Sequence, residues 1–142
     1  MKNIALLIVI IALIASCDDG NSTKSSSPPC EKTIIISSML YKTAPDDRFH
    51  FEDVEVVGNC LEMTISYGGG CGEVGYELID AGVVYYSMPP QRELRLSFKD
   101  DDLCEALIRK TISFDLRPII LSNTNEIILR LSDWEDTLIY RY

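Results

Sequence analysis

Along residues 106–117 the side chains alternate. Ala106, Ile108, Lys110, Ile112, Phe114 and Leu116 fall on one parity, and Arg109, Thr111, Ser113, Asp115 and Arg117 on the other. Successive residues of a strand face opposite ways, so this pattern describes a half-buried strand with one wetted face. The same alternation sets Leu61, Met63, Ile65 and Tyr67 against Glu62, Thr64 and Ser66. It recurs with Leu94, Leu96 and Phe98 against Glu93, Arg95 and Ser97. Ile127, Leu129 and Leu131 lead through Ser132-Asp133-Trp134-Glu135-Asp136 to Leu138, Tyr140 and Tyr142, which predicts a terminal hairpin. Residues 33–38, 51–57, 76–80 and 83–87 are expected to be strands as well. Eight or nine short strands punctuated by Gly, Pro and Asp predict an all-β domain, an antiparallel β-sandwich of Ig-like or Greek-key type. A partly closed β-barrel is the alternative. Residues 30–142 suffice for one domain.

The chain opens with Met1-Lys2, runs apolar from Ile4 to Ile14, and reaches Ala15, Ser16 and Cys17. A positive start, an apolar middle and a small-residue end are the layout of a signal peptide. As a helix the apolar run rises about 16 Å, roughly half of a bilayer's hydrocarbon core, so a permanent span fits poorly. Ile14-Ala15-Ser16-Cys17 resembles the lipobox of bacterial lipoproteins. That resemblance implies cleavage before Cys17, a diacylglyceryl thioether on its sulfur, and anchorage in a lipid bilayer. Residues 1–16 are then leader and 17–29 a tether. From Asp18 to Pro29 there is no apolar side chain besides proline to offset the entropy of ordering. Such a chain reaches about 20 Å root-mean-square. Asp18 and Asp19 follow the cysteine directly. An Asp there resembles an inner-membrane retention signal in enterobacteria and an export signal in Bacteroidota, where acidic residues send lipoproteins to the cell surface. A merely solvated tether is the plain alternative.

Lys2 is the only charged residue of the leader, so its removal takes the formal charge from −9 to −10, with 12 basic and 22 acidic residues left. That balance excludes a partner held by phosphate neutralisation, nucleic acid above all, and a polybasic clasp on anionic lipid.

Cys30, Cys60, Cys71 and Cys104 remain after the lipid site. In an exported protein four cysteines imply two disulfides among three possible pairings. If the strand from Cys60 turned through Gly68-Gly69-Gly70 into a strand at Tyr76, Cys60 and Cys71 would lie at opposite ends of a hairpin. Two pairings then survive: Cys30 with Cys60 and Cys71 with Cys104, toward which the reading leans, or Cys30 with Cys71 and Cys60 with Cys104. No close Cys-x-x-Cys pair favours zinc, and no metal or other cofactor is expected.

Each candidate for chemistry has a plain counterpart. His50 is the only histidine and the only possible base of a Ser-His-Asp or Cys-His site, yet no nucleophile motif adjoins it. It reads as a turn or surface histidine. Gly68-Gly69-Gly70-Cys71-Gly72 lacks the Lys and Ser/Thr of a phosphate loop and reads as a turn needing positive φ. Lys99-Asp100-Asp101-Asp102-Leu103-Cys104-Glu105 offers hard oxygens for calcium without EF-hand spacing. A solvated turn is the alternative. Asp136-Thr137-Leu138 resembles the O-glycosylation site of Bacteroidota proteins. Trp134 with Tyr85, Tyr86, Tyr140 and Tyr142 is a candidate sugar-stacking platform or, more plainly, core and edge packing.

Gly58-Asn59-Cys60-Leu61, the glycine run into Cys71, Met88-Pro89-Pro90-Gln91-Arg92 and Leu103-Cys104-Glu105-Ala106 resemble small lipoproteins of flavobacteria for which no activity is assigned. The likeness covers most of the domain and implies a lipoprotein with a β-fold and no catalytic residue. Pro89-Pro90 is expected to mark a crossing between sheets. These readings converge on a non-enzymatic lipoprotein of the bacterial envelope, at the outer membrane, whose domain binds an envelope protein or glycan or serves structurally. A secreted inhibitor of proteases or other envelope enzymes, presenting 41–50 or 68–73, is the second reading. A hydrolase with a carboxylate or calcium site around 100–105 is the third.

Overall fold

The computed structural model describes residues 29–142. The leader and most of the tether, with Ile14, Ala15, Ser16, Cys17, Asp18 and Asp19, lie outside the described residues.

The elements in chain order are β1 (Lys32–Thr33), β2 (Ile35–Ile36), α1 (Ser38–Thr43), β3 (His50–Val57), β4 (Cys60–Gly69), β5 (Val74–Tyr85), β6 (Gln91–Asp100), β7 (Ala106–Asp115), β8 (Glu126–Leu131) and β9 (Leu138–Arg141), with a 3-10 turn at Arg117–Ile119. They form two sheets, β1-β7-β4-β3 and β2-β5-β6-β8-β9. The apolar parities point inward: Leu61, Met63 and Ile65 of β4, Leu94, Leu96 and Phe98 of β6, Ile112 and Phe114 of β7, and Ile127, Leu129 and Leu131 of β8 are all buried. Each such side chain contributes about 1.5–3 kcal/mol by leaving water. The two inner faces therefore bind to each other as a sandwich, as the alternation requires.

Five details depart from the sequence-based expectation, each for a physical reason. The sheets are mixed, because β1 joins β7, β2 joins β5 and β8 joins β6 in parallel. Residues 33–38 are not one strand: β1 and β2 cross from one sheet to the other, and the chain then turns into α1. Ser37 caps that helix, its hydroxyl accepting from the Leu40 N–H, and Arg95 donates to the carbonyls of Leu40, Tyr41 and Ala44 at its far end. A six-residue helix with both ends satisfied by side chains leaves no amphipathic stretch long enough to read.

Next, the two strands expected at 76–80 and 83–87 are one, β5, with a bulge, and it ends at Tyr85, leaving Tyr86 and Ser87 in the turn. Register shifts between Asp80 and Val84, where Gly82 has φ +76°, a conformation that favours glycine. Finally, β4 and β5 are not a hairpin: Gly68 and Gly69 still pair with Leu107 and Ala106 of β7, and the chain passes to the other sheet from Gly70, at φ +112°, onward. Pro89-Pro90 sits instead in the β5–β6 hairpin turn, so the expected sheet crossing there is corrected: β5 and β6 pair directly in one sheet. Pro90 lacks an N–H, but its carbonyl accepts from Ile128, and a turn suits a residue that cannot extend a ladder.

The bonded cysteines are Cys30 with Cys60 and Cys71 with Cys104, with Cα separations of 5.7 and 5.8 Å. The sandwich thus has a staple at each end of its strands.

Candidate functional site

The strand directions sort the connections into two ends. Residues 44–49, 70–73, 101–105 and 132–137 lie at one end, and 58–59, 86–90 and 116–125 at the other. In the first group stand Asp46 and Asp47, Glu73, Asp101, Asp102 and Glu105, and Asp133, Glu135 and Asp136, with Arg48 as the one cation. In the second the only charged side chain is Arg117. The connections at one end thus carry nine carboxylates and those at the other none.

At the acidic end Asp102 organises the loops. Its Oδ2 accepts N–H bonds from Cys71 at 2.7 Å and Gly72 at 2.9 Å, and its Oδ1 accepts from Cys104 at 2.9 Å. Asp100 Oδ1 accepts from the Asp102 N–H, and Asp47 Oδ2 from the Asp100 N–H. Donors aimed at a carboxylate favour its charged form, so the N–H groups of Cys104 and Cys71 hold the Asp102 carboxyl below its ordinary value. In the run expected to offer oxygens to calcium, Asp100 and Asp102 therefore direct theirs to backbone N–H groups, and Asp101 pairs with Lys99. Asp102 also lies beside Cys71 and Cys104, but those sulfurs are joined to each other and do not act as thiolate ligands.

Beside this cage, His50, Phe51, Trp134, Glu135 and Asp136 line a cleft of about 400 Å³. Trp134 packs edge-on against Phe51, ring centroids 6.1 Å apart, and its indole N–H is buried without a protein acceptor. Asp133, with φ 63°, turns the chain so that Trp134 folds back and Glu135 and Asp136 stay exposed. His50 is exposed at the start of β3 and stands opposite Ser66 across the sheet. No side-chain hydrogen bond joins those two among the described residues. Thr137 is exposed just ahead of buried Leu138, open to the modification its tripeptide resembles.

The five aromatic residues proposed as a sugar platform do not come together. Trp134 belongs to the acidic end, while Tyr140 and Tyr142 stack at the other with centroids 5.0 Å apart, and Tyr140 is buried. Tyr85 flanks the hairpin whose turn carries Tyr86, at 94% exposure, and Met88, at 100%. Burial raises the pKa of the Tyr140 phenol, whose hydroxyl donates to Asn59 Oδ1 at 2.8 Å.

Two features escaped the sequence reading although it held their signal. Asp80 shares the apolar parity of Tyr76 and Leu78, and Arg92 that of Leu94 and Leu96. The two meet in the core: Arg92 Nε reaches Asp80 Oδ2 at 2.7 Å and Nη2 reaches Oδ1 at 2.8 Å, with side-chain exposures of 7% and 0%. The Gly82 N–H completes the Asp80 carboxylate at 2.7 Å. Lys110, the exception in its strand, lies 4.5 Å from the centroid of the Tyr76 ring, with Lys32 4.6 Å from the same ring. A charge on an apolar parity is the legible sign of such partners.

No protein-family model matches the chain, and no curated protein does. Solved structures resemble it in fold. A protein of unknown function from Bacteroides vulgatus, assigned to DUF1344, superposes with a TM-score of 0.55 at 16% identity, over 80% of this chain and 57% of that one. A NigD-like immunity protein from Bacteroides caccae superposes with a TM-score of 0.55 at 10% identity, over 70% of this chain and 51% of that one. The chain spans little more than half the length of either. Proteins of Bacteroidota therefore share this fold, in keeping with the resemblance carried by the cysteine and proline segments.

Proposed function

We propose that the protein is a lipid-anchored, non-catalytic binding module of the bacterial envelope. Cys17 is its anchor and the acidic end of the sandwich its binding face. The observation that carries this reading is the use made of the acidic carboxylates. Asp47, Asp100 and Asp102 spend oxygens on backbone N–H groups and fix the loops, while Asp133, Glu135 and Asp136 project from a turn set by the φ of Asp133. A rigid face of one charge suits recognition of a basic surface on an envelope protein, because preorganised charge steers encounter and rejects like-charged partners. The outer membrane is the proposed location, with Asp18 and Asp19 as the sorting signal.

Metabolic labelling with an alkyne fatty acid tests the anchor: wild type takes label on Cys17, and Cys17→Ala abolishes it and releases the product from membranes. Capture of partners from intact cells tests the face. The combined change Asp133→Asn, Glu135→Gln, Asp136→Asn should lose the captured partner, and higher salt should weaken capture by wild type. Label-free Cys17 removes the first half of the proposal; capture indifferent to both the substitutions and salt removes the second.

An inhibitor of an envelope protease is the second reading. Loop 68–73 favours it, being pinned by the Cys71–Cys104 bond and by Asp102 while Gly70, Cys71, Gly72 and Glu73 stay exposed. A tight complex with one protease, lost on shortening 68–73, would decide for it.

A further inference from the structure

We infer that the end opposite the acidic loops rests on the lipid surface itself, with the β5–β6 turn seated among the headgroups. The inference rests on anchorage through Cys17 and adds an orientation to it. Residues 81–91 carry no charge in a chain that is 25% charged. At their tip Tyr86 and Met88 are almost wholly exposed, and beside them a groove of about 460 Å³ runs between Pro89-Pro90 and Asn123, Thr124 and Asn125, its one charged lining residue, Glu126, being paired with Arg141 at 3.0 Å. Exposed side chains this apolar are costly in water, and a tyrosine beside apolar neighbours is the side chain that membrane interfaces favour.

The tip is held in shape. The Ser87 hydroxyl donates to the Pro89 carbonyl at 2.6 Å and accepts from Gln91 Nε2 at 2.9 Å, and Ile128 N–H donates to the Pro90 carbonyl at 2.8 Å. Little order is then left to impose on contact.

The choice of a lipid surface over another occupant comes from where the chain enters the domain. Residue 30 is bonded to Cys60, whose neighbour Asn59 accepts from Tyr140 and, through its carbonyl, from Leu116. Tyr142 binds Asn125 in turn. Those contacts place the entry point at the same end as the turn, and the sequence leaves only residues 18–29 between it and Cys17. A segment of that length reaches about 20 Å, so the domain stays within its own dimensions of the bilayer. Anionic headgroups repel the nine carboxylates of the far loops. The near loops hold no carboxylate, and Asp115 and Glu126, which border them, are paired with Arg117 and Arg141.

The test uses the full lipidated protein in vesicles of phosphatidylethanolamine and phosphatidylglycerol with brominated acyl chains, which quench indole emission at short range. Native Trp134, at the acidic end, is the chain's only tryptophan and supplies the background. Two variants each add an indole: Tyr86→Trp in the turn, and Leu103→Trp, at a position 97% exposed among the acidic loops. The added indole of Tyr86→Trp should be quenched about twofold or more beyond that of Leu103→Trp, and its emission should shift to the blue. Equal, weak quenching of both, with Cys17 acylated by mass and the protein sedimenting with vesicles, overturns the orientation and leaves the anchor standing. An unmodified Cys17 with the protein left in solution overturns both, and mass spectrometry tells the two failures apart. A photo-crosslinking residue at position 86 that captures a protein and no lipid in intact cells also overturns the seating.

Discussion

At the acidic end, where the loops carry nine carboxylates, Asp47 and Asp102 close them by accepting backbone N–H bonds, and others such as Asp133, Glu135 and Asp136 stay exposed. At the tether end the loops themselves hold no carboxylate. They are closed by hydroxyls, amides and carbonyls and, at the end of β7, by Asp115 on Arg117. A second ion pair, Arg92 with Asp80, lies in the core. Each end has one disulfide, so covalent closure is common to both and the contrast is in polar chemistry. A half-buried carboxylate such as Asp102 keeps part of its hydration, and three N–H groups outweigh the rest of its desolvation. A buried ion pair has given up its water and survives only with its geometry intact. The first arrangement leaves a charged surface for a partner. The second takes its own charges out of the surface.

Breaking the buried pair should give the largest effect. Arg92→Met strands the Asp80 carboxylate in the core, and loss of one partner of a buried pair costs about 3–5 kcal/mol. Denaturant unfolding measures it. The double change Asp80→Leu with Arg92→Met should recover most of the loss, because it also removes the orphaned charge. A single variant within about 1 kcal/mol of wild type would mean that the pair is not what closes the tether end.

The same contrast bears on how legible the molecule was. The strands of the sandwich follow from alternation because burial imposes a period of two on β4, β6, β7 and β8, and nothing else competes with it. Connection between strands is different. Whether the chain at Gly70 turns back beside β4 or passes to the other sheet depends on which face β5 buries, and a glycine at positive φ serves either route. The parallel partners β1 and β2 are two residues each, too short to carry a period. The bonded cysteine pairs agree with the favoured reading although the hairpin behind it does not exist: Cys60 and Cys71 are kept apart by lying at opposite ends of the strands. The acidic run at 99–105 was visible, but its use was not, since a carboxylate that holds N–H groups 30 residues away is spelled like one that waits for a cation.

Opening the staples comes next in size. Each closes a loop of similar length, with separations of 30 and 33 residues, so removing either should cost about 3–4 kcal/mol on the chain-entropy account. What separates the ends is the local response. In Cys71→Ser with Cys104→Ser the Asp102 bonds remain, and the amides of residues 71 and 72 should keep slow hydrogen exchange. If those amides exchange as fast as free chain, the cage depends on the covalent bond and the contrast between ends is weaker than drawn above.

The smallest effect is the most discriminating, because it asks what holds a depressed carboxyl at each end. Asp102 lies below its ordinary value through backbone N–H donors, Cys104 first, and Asp115 through the Arg117 side chain, whose Nη2 stands 2.6 Å from Oδ2. A carboxyl whose folded pKa is depressed contributes stability above its unfolded value near 3.8, and that contribution is lost as pH falls through the lower folded value. Asp102→Asn and Asp115→Asn should therefore both be less stable than wild type at pH 7, and both gaps should close as the solution is taken below about pH 4. Salt separates them. Arg117 is mostly exposed, so raising ionic strength at pH 7 should shrink the cost of Asp115→Asn, whereas N–H bonds at contact distance are little screened and the cost of Asp102→Asn should persist. Equal salt sensitivity at the two sites would mean that Asp102 is held by the general field of the protein, and that the loops around it would keep their shape with any polar side chain in its place.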